Sequence, residues 1–355
     1  MRSFYSERDH DLLKKDENVI LQFIVTFGGM TDELNSRNVF LTVLEASFMI
    51  LLNVFSLLGN VLVCISVYRN TRLRTSTNLY IVALAISDLL SPIFVLPLAA
   101  GVLISGRWPF GGTVCQMHAF MAQFVVYISP VTMGLTAINR YVRICKSDQQ
   151  YKRLFSHKKY LILIVSAWMF VACYILIVRL TGLQEFHFVP GYAACMNANL
   201  REFGKIVHYF LVVGLFLLFP LIVTIFSYKN VSKHIQEHNM GVVHALQSHS
   251  DDMATVSTHE IRICRSLFVV VLAFMLCWIP SSVMVIFGRF HVIGRMPRAT
   301  QLLCTFLVFL SSTLNPFIYA GMNPLFRREF RRLLLCTVGE RVEDNAGSTR
   351  PNTLP

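Results

Sequence analysis

The stretch CQMHAFMAQFVVYISPVTMGLTAINRY, from Cys115 to Tyr141, decides the fold. It is long and mostly apolar, opens on a cysteine and closes on Asn139-Arg140-Tyr141. Wound as an α-helix, Cys115 to Arg140 covers roughly 37 Å at ~1.5 Å per residue, against a bilayer hydrocarbon core of about 30 Å. Such a helix crosses a membrane with its cysteine just outside one face and its arginine at the other. An arginine at that depth is costly unless it reaches an interface or finds a partner. Alone the triplet is a weak signal; at the end of a membrane-length helix with a cysteine at its other end it is a strong one.

The rest of the chain agrees. Of 355 residues, 54% are hydrophobic and only 15% charged, more apolar than soluble domains run. The apolar residues come in blocks of membrane-spanning length, about 43–68, 76–103, 112–145, 158–181, 203–235, 258–288 and 298–321. These predict an all-α membrane protein: a seven-transmembrane helix bundle over 43–323 with an N-terminal tail over 1–42. A run that alternates Phe/Leu with Arg predicts a short amphipathic eighth helix on the membrane surface over 324–336, and the polar end predicts a disordered tail over 337–355. No water-soluble domain fits between the blocks, so the net charge of +12 is not a nucleic-acid footprint and no nucleic-acid partner is expected.

Lys and Arg crowd after the first block (Arg69, Arg72, Arg74), the third (Arg143, Lys146, Lys152, Arg153) and the seventh (Arg327, Arg328, Arg331, Arg332). The positive-inside rule makes those sides cytoplasmic and the N-terminus extracellular. Arg289, Arg295 and Arg298 fall on the outer side, either as a solvated loop or as an anion-attracting rim. The inner stretch 236–257 is polar and histidine-bearing and reads as a solvated loop. The apolar patch Val19–Phe27 is too short to span, and the acids before it do not suit a signal peptide.

Cys115 and Cys195 both fall outside, where disulfides persist, and are expected to pair, pinning the long loop of about 182–202 over the bundle. Cys64, Cys173, Cys277 and Cys304 lie inside apolar runs as packing residues. Cys336 follows the basic amphipathic run and is a palmitoylation candidate. Asp88, deep in the second block, is a functional-site candidate because a carboxylate at lipid depth is expensive. No Gly-x-Ser-x-Gly or His-Glu-x-x-His string appears, and no internal repeat of the kind transporters carry. The chain is therefore read as no enzyme, with a membrane transporter as the alternative from another class.

Asn60, Asp88, Cys115 with the Arg140 triplet, Trp168, Pro220, Tyr228, Cys277-Trp278-Ile279-Pro280 and Asn315-Pro316-Phe317-Ile318-Tyr319 fall on successive blocks. In this combination the chain resembles the rhodopsin-like (class A) G-protein-coupled receptors over about 43–336. Within them it is most similar to melatonin receptors, through Ser66-Val67-Tyr68-Arg69-Asn70, Asn139-Arg140-Tyr141 where most relatives have an acid before the arginine, Ile144-Cys145-Lys146-Ser147, and Gly182-Leu183-Gln184. The resemblance implies a plasma-membrane receptor that turns binding of a small lipophilic ligand into activation of a heterotrimeric G protein, of the inhibitory (Gi/o) class. Arrestin, a receptor kinase and membrane lipids are further implied partners. An orphan or constitutively active class A receptor for another ligand is the alternative.

The resemblance also implies roles. Ala122, Val178, Asn199, Val212, Phe216, Trp278, Ser281, Ser282, Val285, Thr305 and Phe309 would line the ligand cavity, with Tyr127. Asn139, Arg140, Tyr141, Tyr228, Glu260, Phe274, Trp278, Pro280, Asn315, Pro316 and Tyr319 would be activation switches. Glu260 would pair with Arg140 and hold the third and sixth segments together. Asp88, Ser129, Ser311 and Asn315 would form a site for a sodium ion acting as allosteric modulator; no other cofactor is expected. The departures concern the ligand. Melatonin receptors have a histidine where this chain has Phe216, an asparagine where it has Ile177 or Val178, and a glutamine where it has Asn199. Amine receptors have an aspartate where it has Ala122, and opsins a retinal-binding lysine where it has Phe309. Pro130 stands where relatives carry a branched aliphatic residue; a mid-helix proline removes a backbone hydrogen bond and kinks the helix, and it either loosens the packing or is absorbed by neighbouring helices.

Overall fold

The computed structural model describes residues 29–75, 78–199, 202–248, 258–290 and 296–335. Seven helical stretches are long and apolar enough to cross a membrane. The first is α2 (Val39–Arg69), preceded by a short helix α1 over 29–35. The second is α3 (Asn78–Phe94) followed by α4 (Leu96–Ser105). The third is α5 (Gly111–Cys145), and a short α6 (Asp148–Leu154) links it to the fourth, α7 (His157–Leu180). The fifth is α8 (Glu202–Leu211), a π-helical turn (Val212–Leu218) and α9 (Phe219–Ser248). α10 (Thr258–Arg289) and α11 (Arg298–Met322) complete the set, and α12 (Pro324–Leu334) follows.

The second and third spans bury 61% of their apolar windows, the fourth and fifth only 22%. The former are therefore interior and the latter carry lipid-facing surface. Phe210, Ile222 and Leu276 are exposed at these depths, as apolar side chains facing hydrocarbon should be. Prolines shape the spans unequally. Pro92 and Pro97 flank the break between α3 and α4, since neither can donate a backbone hydrogen bond. Pro130 lies inside α5, which runs without a break from Gly111 to Cys145. It packs beside Pro220 and Phe274, neighbours that absorb it as membrane helices often do.

Three expectations change. The first span begins at Val39 rather than 43, so part of the assigned tail belongs to the bundle. The stretch read as a solvated inner loop, 236–257, begins as helix, because α9 runs on to Ser248; residues 249–257 lie outside the described residues. The loop over the bundle is a hairpin, β1 (Glu185–Val189) against β2 (Ala194–Asn199), antiparallel with Phe188 opposite Cys195. Cys195 is disulfide-bonded to Cys115 at the start of α5, and the Gln116 amide donates to the Phe186 carbonyl at 2.9 Å. Together they hold the hairpin onto α5.

The same end of the bundle carries a buried charge cluster. Arg298 is 3% exposed, not solvated. Its Nη1 donates to Glu45 Oε2 at 3.1 Å, and Arg37 Nη1 donates to the same oxygen at 2.6 Å. Arg37 also donates through Nη2 to the Leu103 carbonyl and through Nε to the Leu34 carbonyl. One glutamate thus joins the chain entering the first span, the start of the seventh and the end of the second. Over it α1 lays Leu34, 1% exposed, into a core that includes Ala46, Leu103 and Leu302.

Deeper in the bundle the first and seventh spans touch at Gly59. A Cβ there would lie 2.8 Å from Pro316 Cγ, so only glycine permits this approach.

Removing one partner of a buried ion pair leaves an uncompensated charge and costs about 3–5 kcal/mol. Glu45→Gln is therefore expected to lower the melting temperature of the purified protein strongly, whereas Glu33→Gln, at an exposed carboxylate 3.8 Å from Arg298, is expected to lower it little. Thermal unfolding in detergent compares the two.

Candidate functional site

Beneath the hairpin lies a cavity of about 210 Å³. Its walls come from Val95 and α4, α5, the fifth span, α10 and α11, and Tyr192 and Ala194–Asn197 roof it. Of the residues expected to line it, Ala122, Val212, Phe216, Trp278, Ser281, Ser282, Val285, Thr305 and Phe309 do so, as does Tyr127. Val178 does not join them. It is buried, and its carbonyl accepts from the Thr181 hydroxyl and the Gln184 backbone N–H near the hairpin. Asn199 ends β2, and its side chain lies outside the described residues.

The shape of the wall has a local cause. Pro220 has no N–H to complete the helical ladder, and one wide π-turn precedes it. The turn presents Phe216 inward, 2% exposed, stacked on Tyr127 with ring centroids 4.8 Å apart. The position at which melatonin receptors carry a histidine is here filled by an apolar stack.

A histidine is nevertheless in the wall. His208 on α8 is buried and faces the cavity. Its Nδ1 lies 3.0 Å from the Tyr174 hydroxyl and its Nε2 2.7 Å from Gln184 Nε2. Sequence reasoning missed it because a single histidine near a helix start carries no pattern. Gln123 on α5 was missed likewise; it is 7% exposed and belongs to the cavity wall, and neither its Oε1 nor its Nε2 has a hydrogen-bond partner among the described residues. The lining contains no Asp, Glu, Lys or Arg among the described residues.

Below the cavity the polar centre begins. The Trp278 indole stacks on Phe274 at 4.7 Å and donates to Ser311 Oγ at 3.0 Å. Ser311 in turn donates to the Val308 carbonyl at 2.6 Å. Both bonds place Ser311 with the tryptophan rather than beside Asp88, and the serine that faces the Asp88 carboxylate from α11 is Ser312. Asp88 is fully buried, and Asn315 Nδ2 donates to its Oδ2 at 2.7 Å. Ser129 faces it from α5, where its hydroxyl donates to the Val125 carbonyl.

The opposite, basic end holds the remaining candidates. Arg140 is fully buried. Asn139 Nδ2 donates to the Tyr151 hydroxyl at 3.2 Å, tying α5 to α6. Tyr141 meets Phe226 of α9 at 6.0 Å, and Tyr228 meets Phe268 of α10 at 5.8 Å. Tyr319 is 1% exposed and stacks on Phe326 of α12 at 5.7 Å. The buried face of α12 carries Phe326 and Phe330, and also Glu329, which accepts from Asn70 Nδ2 at 2.9 Å. Glu260 falls in α10, but its side chain lies outside the described residues, as do Cys336 and the tail 337–355. No group of three or more metal-ligating side chains occurs among the described residues.

This arrangement matches a known family. Residues 59–319 match the family described as 7 transmembrane receptor (rhodopsin family), and the chain belongs to it. It is similar to melatonin receptor type 1A of Mus musculus, 28% identical over 293 residues that cover 80% of this chain and 78% of that one. Melatonin receptor type 1B-B of Danio rerio is 29% identical over 292 residues, covering 81% of each. In fold it is similar to squid rhodopsin, with a TM-score of 0.70 over 84% of this chain and 88% of that one at 21% identity. It is thus a multi-pass plasma-membrane receptor of class A, related to melatonin receptors, and a signalling protein rather than an enzyme; the family implies a G-protein partner and a small-molecule ligand.

Ser311→Ala is expected to leave the Trp278 N–H buried without a partner, which costs about 1–3 kcal/mol. Thermal unfolding should show the loss, and Ser312→Ala should not reproduce it through Trp278, whose near-ultraviolet circular dichroism signal should change only in the first variant.

Proposed function

We propose that the cavity beneath the hairpin takes a small, neutral, largely apolar ligand, and that its occupancy biases the bundle toward a state that promotes nucleotide exchange on a heterotrimeric G protein of the inhibitory (Gi/o) class. The observation that carries this is the lining: aromatic and aliphatic walls, a few polar groups and, among the described residues, no charged side chain. An ion entering such a site would lose its hydration without a counter-charge, whereas a neutral lipophile gains burial. The hairpin end faces outside the cell, supported by its disulfide, which persists in oxidising surroundings, and by the basic loops at the other end. Trp278, Phe274, Tyr228, Asn315 and Tyr319, which stack or hydrogen-bond below the cavity, together with Pro280 and Pro316 in the same helices, carry the bias toward Asn139, Arg140 and Tyr141 where the G protein docks. Cys336 is a lipid attachment point beyond α12. Arrestin and a receptor kinase act on the same face.

The resting state has two restraints in this reading. Glu260 pairs with Arg140 across α10 and α5. Asp88, whose Oδ1 has no hydrogen-bond partner among the described residues, holds a sodium ion with Ser129, Ser312 and Asn315, a set of oxygens suited to a hard cation. Nucleotide exchange by purified Gi heterotrimer with the reconstituted receptor tests the class of function. Glu260→Ala is expected to raise ligand-free exchange about 5–150-fold, the range of ordinary coupling energies; unchanged exchange at equal receptor amount counts against the restraint.

Melatonin itself is expected to bind weakly. Phe216 supplies no hydrogen bond at the fifth-span position, Val178 does not reach the cavity, and each lost bond costs about 0.5–1.5 kcal/mol. Competition against a labelled melatonin analogue measures this, with Phe216→His as the companion expected to bind more tightly. Nanomolar affinity in the unmodified receptor would contradict the expectation.

A further inference from the structure

The corner where the end of α2 meets α12 carries an excess of positive charge. Arg69, Arg74, Arg327, Arg328, Arg331 and Arg332 are all exposed there. The chain has no acid between Glu45 and Asp88 and none between Arg298 and Arg328. The acid that α12 does carry, Glu329, is buried and already engaged. Its Oε1 accepts from Asn70 Nδ2 at 2.9 Å and from Arg332 Nη1 at 3.4 Å. That shared oxygen ties the residue after Arg69 to the middle of α12, so the arginines of the two elements face one corner. Arg74 folds back onto the same place. Its Nε and Nη2 donate to the Tyr68 carbonyl, and its guanidinium lies over the Tyr68 ring at 5.4 Å.

The surroundings say which way this corner looks. Phe55, Leu58 and Ile65 are exposed along one face of α2, and Arg69, four residues after Ile65, continues that face. Phe55 meets Phe317 of α11 edge-on at 6.0 Å, and both rings are exposed. The seam between the first and seventh spans therefore faces hydrocarbon and leads to the arginines. Tyr68 stands 76% exposed at the same level, as an aromatic at a membrane–water interface does. On α12, Phe326, Glu329 and Phe330 turn inward, and Arg328 and Arg332 share the outer face four residues apart. Guanidinium groups bind phosphate oxygens through paired N–H donors. A phosphatidylcholine headgroup brings its own ammonium and needs no such partner, whereas a phosphomonoester adds a second negative charge to a single phosphate. We propose that this corner binds a membrane lipid whose headgroup carries a phosphomonoester, held by Arg69, Arg328 and Arg332, with an acyl chain along the Phe55–Phe317 seam. The site is separate from the cavity and does not depend on which ligand fills it.

Native mass spectrometry of the purified full-length receptor, offered equal amounts of phosphatidylcholine, phosphatidylinositol and phosphatidylinositol bisphosphate, reads which lipid stays bound. The bisphosphate lipid is expected to be retained about tenfold or more over phosphatidylinositol, which has the same ring and no phosphomonoester; two arginines beside an anionic headgroup supply a preference of that order. Arg69→Gln with Arg328→Gln is expected to erase the preference. Lys152→Gln with Arg153→Gln, an equal loss of exposed charge on α6, is expected to keep it. Equal retention of the two inositol lipids overturns the proposal, as does a preference that survives the first pair of substitutions or falls equally in both. A photoactivatable phosphatidylinositol bisphosphate gives a reading that needs no variant. It is expected to mark peptides of α2, α11 or α12, and marks confined to other helices overturn the site. Displacement of the lipid by an equal concentration of inositol trisphosphate would show that the headgroup alone suffices and overturn a lipid as the occupant. In phospholipid-free detergent, Arg69→Gln with Arg328→Gln is expected to leave complex formation with nucleotide-free Gi heterotrimer unchanged; a weakened complex would make this corner a protein-docking face instead.

Discussion

The hydrogen bond from Asn315 to Asp88 is the constraint on which the inner half of the receptor depends. At lipid depth no water is available to satisfy a carboxylate, so its partners must come from other helices. Asn315 meets it at 2.7 Å and thereby fixes the depth of α11 against α3. The next residue, Pro316, then lies against Gly59 of α2, where nothing larger than a hydrogen fits. One turn earlier on the same helix, Ser311 receives the Trp278 N–H and sets the depth of α10. The Trp168 N–H does the same for α7 on α5 through Thr132, at 3.0 Å. Each bond is worth little alone. Together they register helices that otherwise pack through apolar surface, which gives direction but little register.

The two ends of the bundle are built to different ends. The hairpin end is locked: a disulfide, a buried glutamate shared by two arginines, and α1 packed into a core. These interactions leave little freedom to the roof of the cavity. The basic end is held by contacts that can be exchanged, among them a neutral Asn139–Tyr151 hydrogen bond at 3.2 Å and Tyr228 meeting Phe268 edge-on across helices. A ligand shifts an equilibrium only by its differential affinity for the two states. In the proposed function, a rigid roof over the site and a looser far end direct that difference to the basic end, where the G protein is proposed to dock.

Much of this is legible in the sequence. The spans follow from apolar block length alone, and the depth of Asp88, Arg140 and Trp278 follows from their place within the blocks. What escapes is what depends on long-range partners. Glu45 and Arg298 are 253 residues apart, and nothing local says that an arginine in an outer loop turns inward to a glutamate in the first span. The hairpin is hidden because short, mixed strands beside a cysteine look like any loop. Ser311 and Ser312 are adjacent, so a helical rotation of 100° separates the tryptophan's partner from the one that faces the carboxylate. Gln123 and His208 are single polar residues in apolar helices, and only the cavity gives them meaning.

The central claim is that the third and sixth spans are held together at their basic ends in the resting receptor and part when the G protein docks. Pulsed dipolar spectroscopy between spin labels at Lys146 and Arg265, in a background with the other reactive cysteines replaced, measures that separation. One population at the shorter distance is expected for the receptor alone, with a shift to a longer distance in the complex with nucleotide-free Gi heterotrimer. An unchanged distance distribution in a complex shown to be formed would contradict the account.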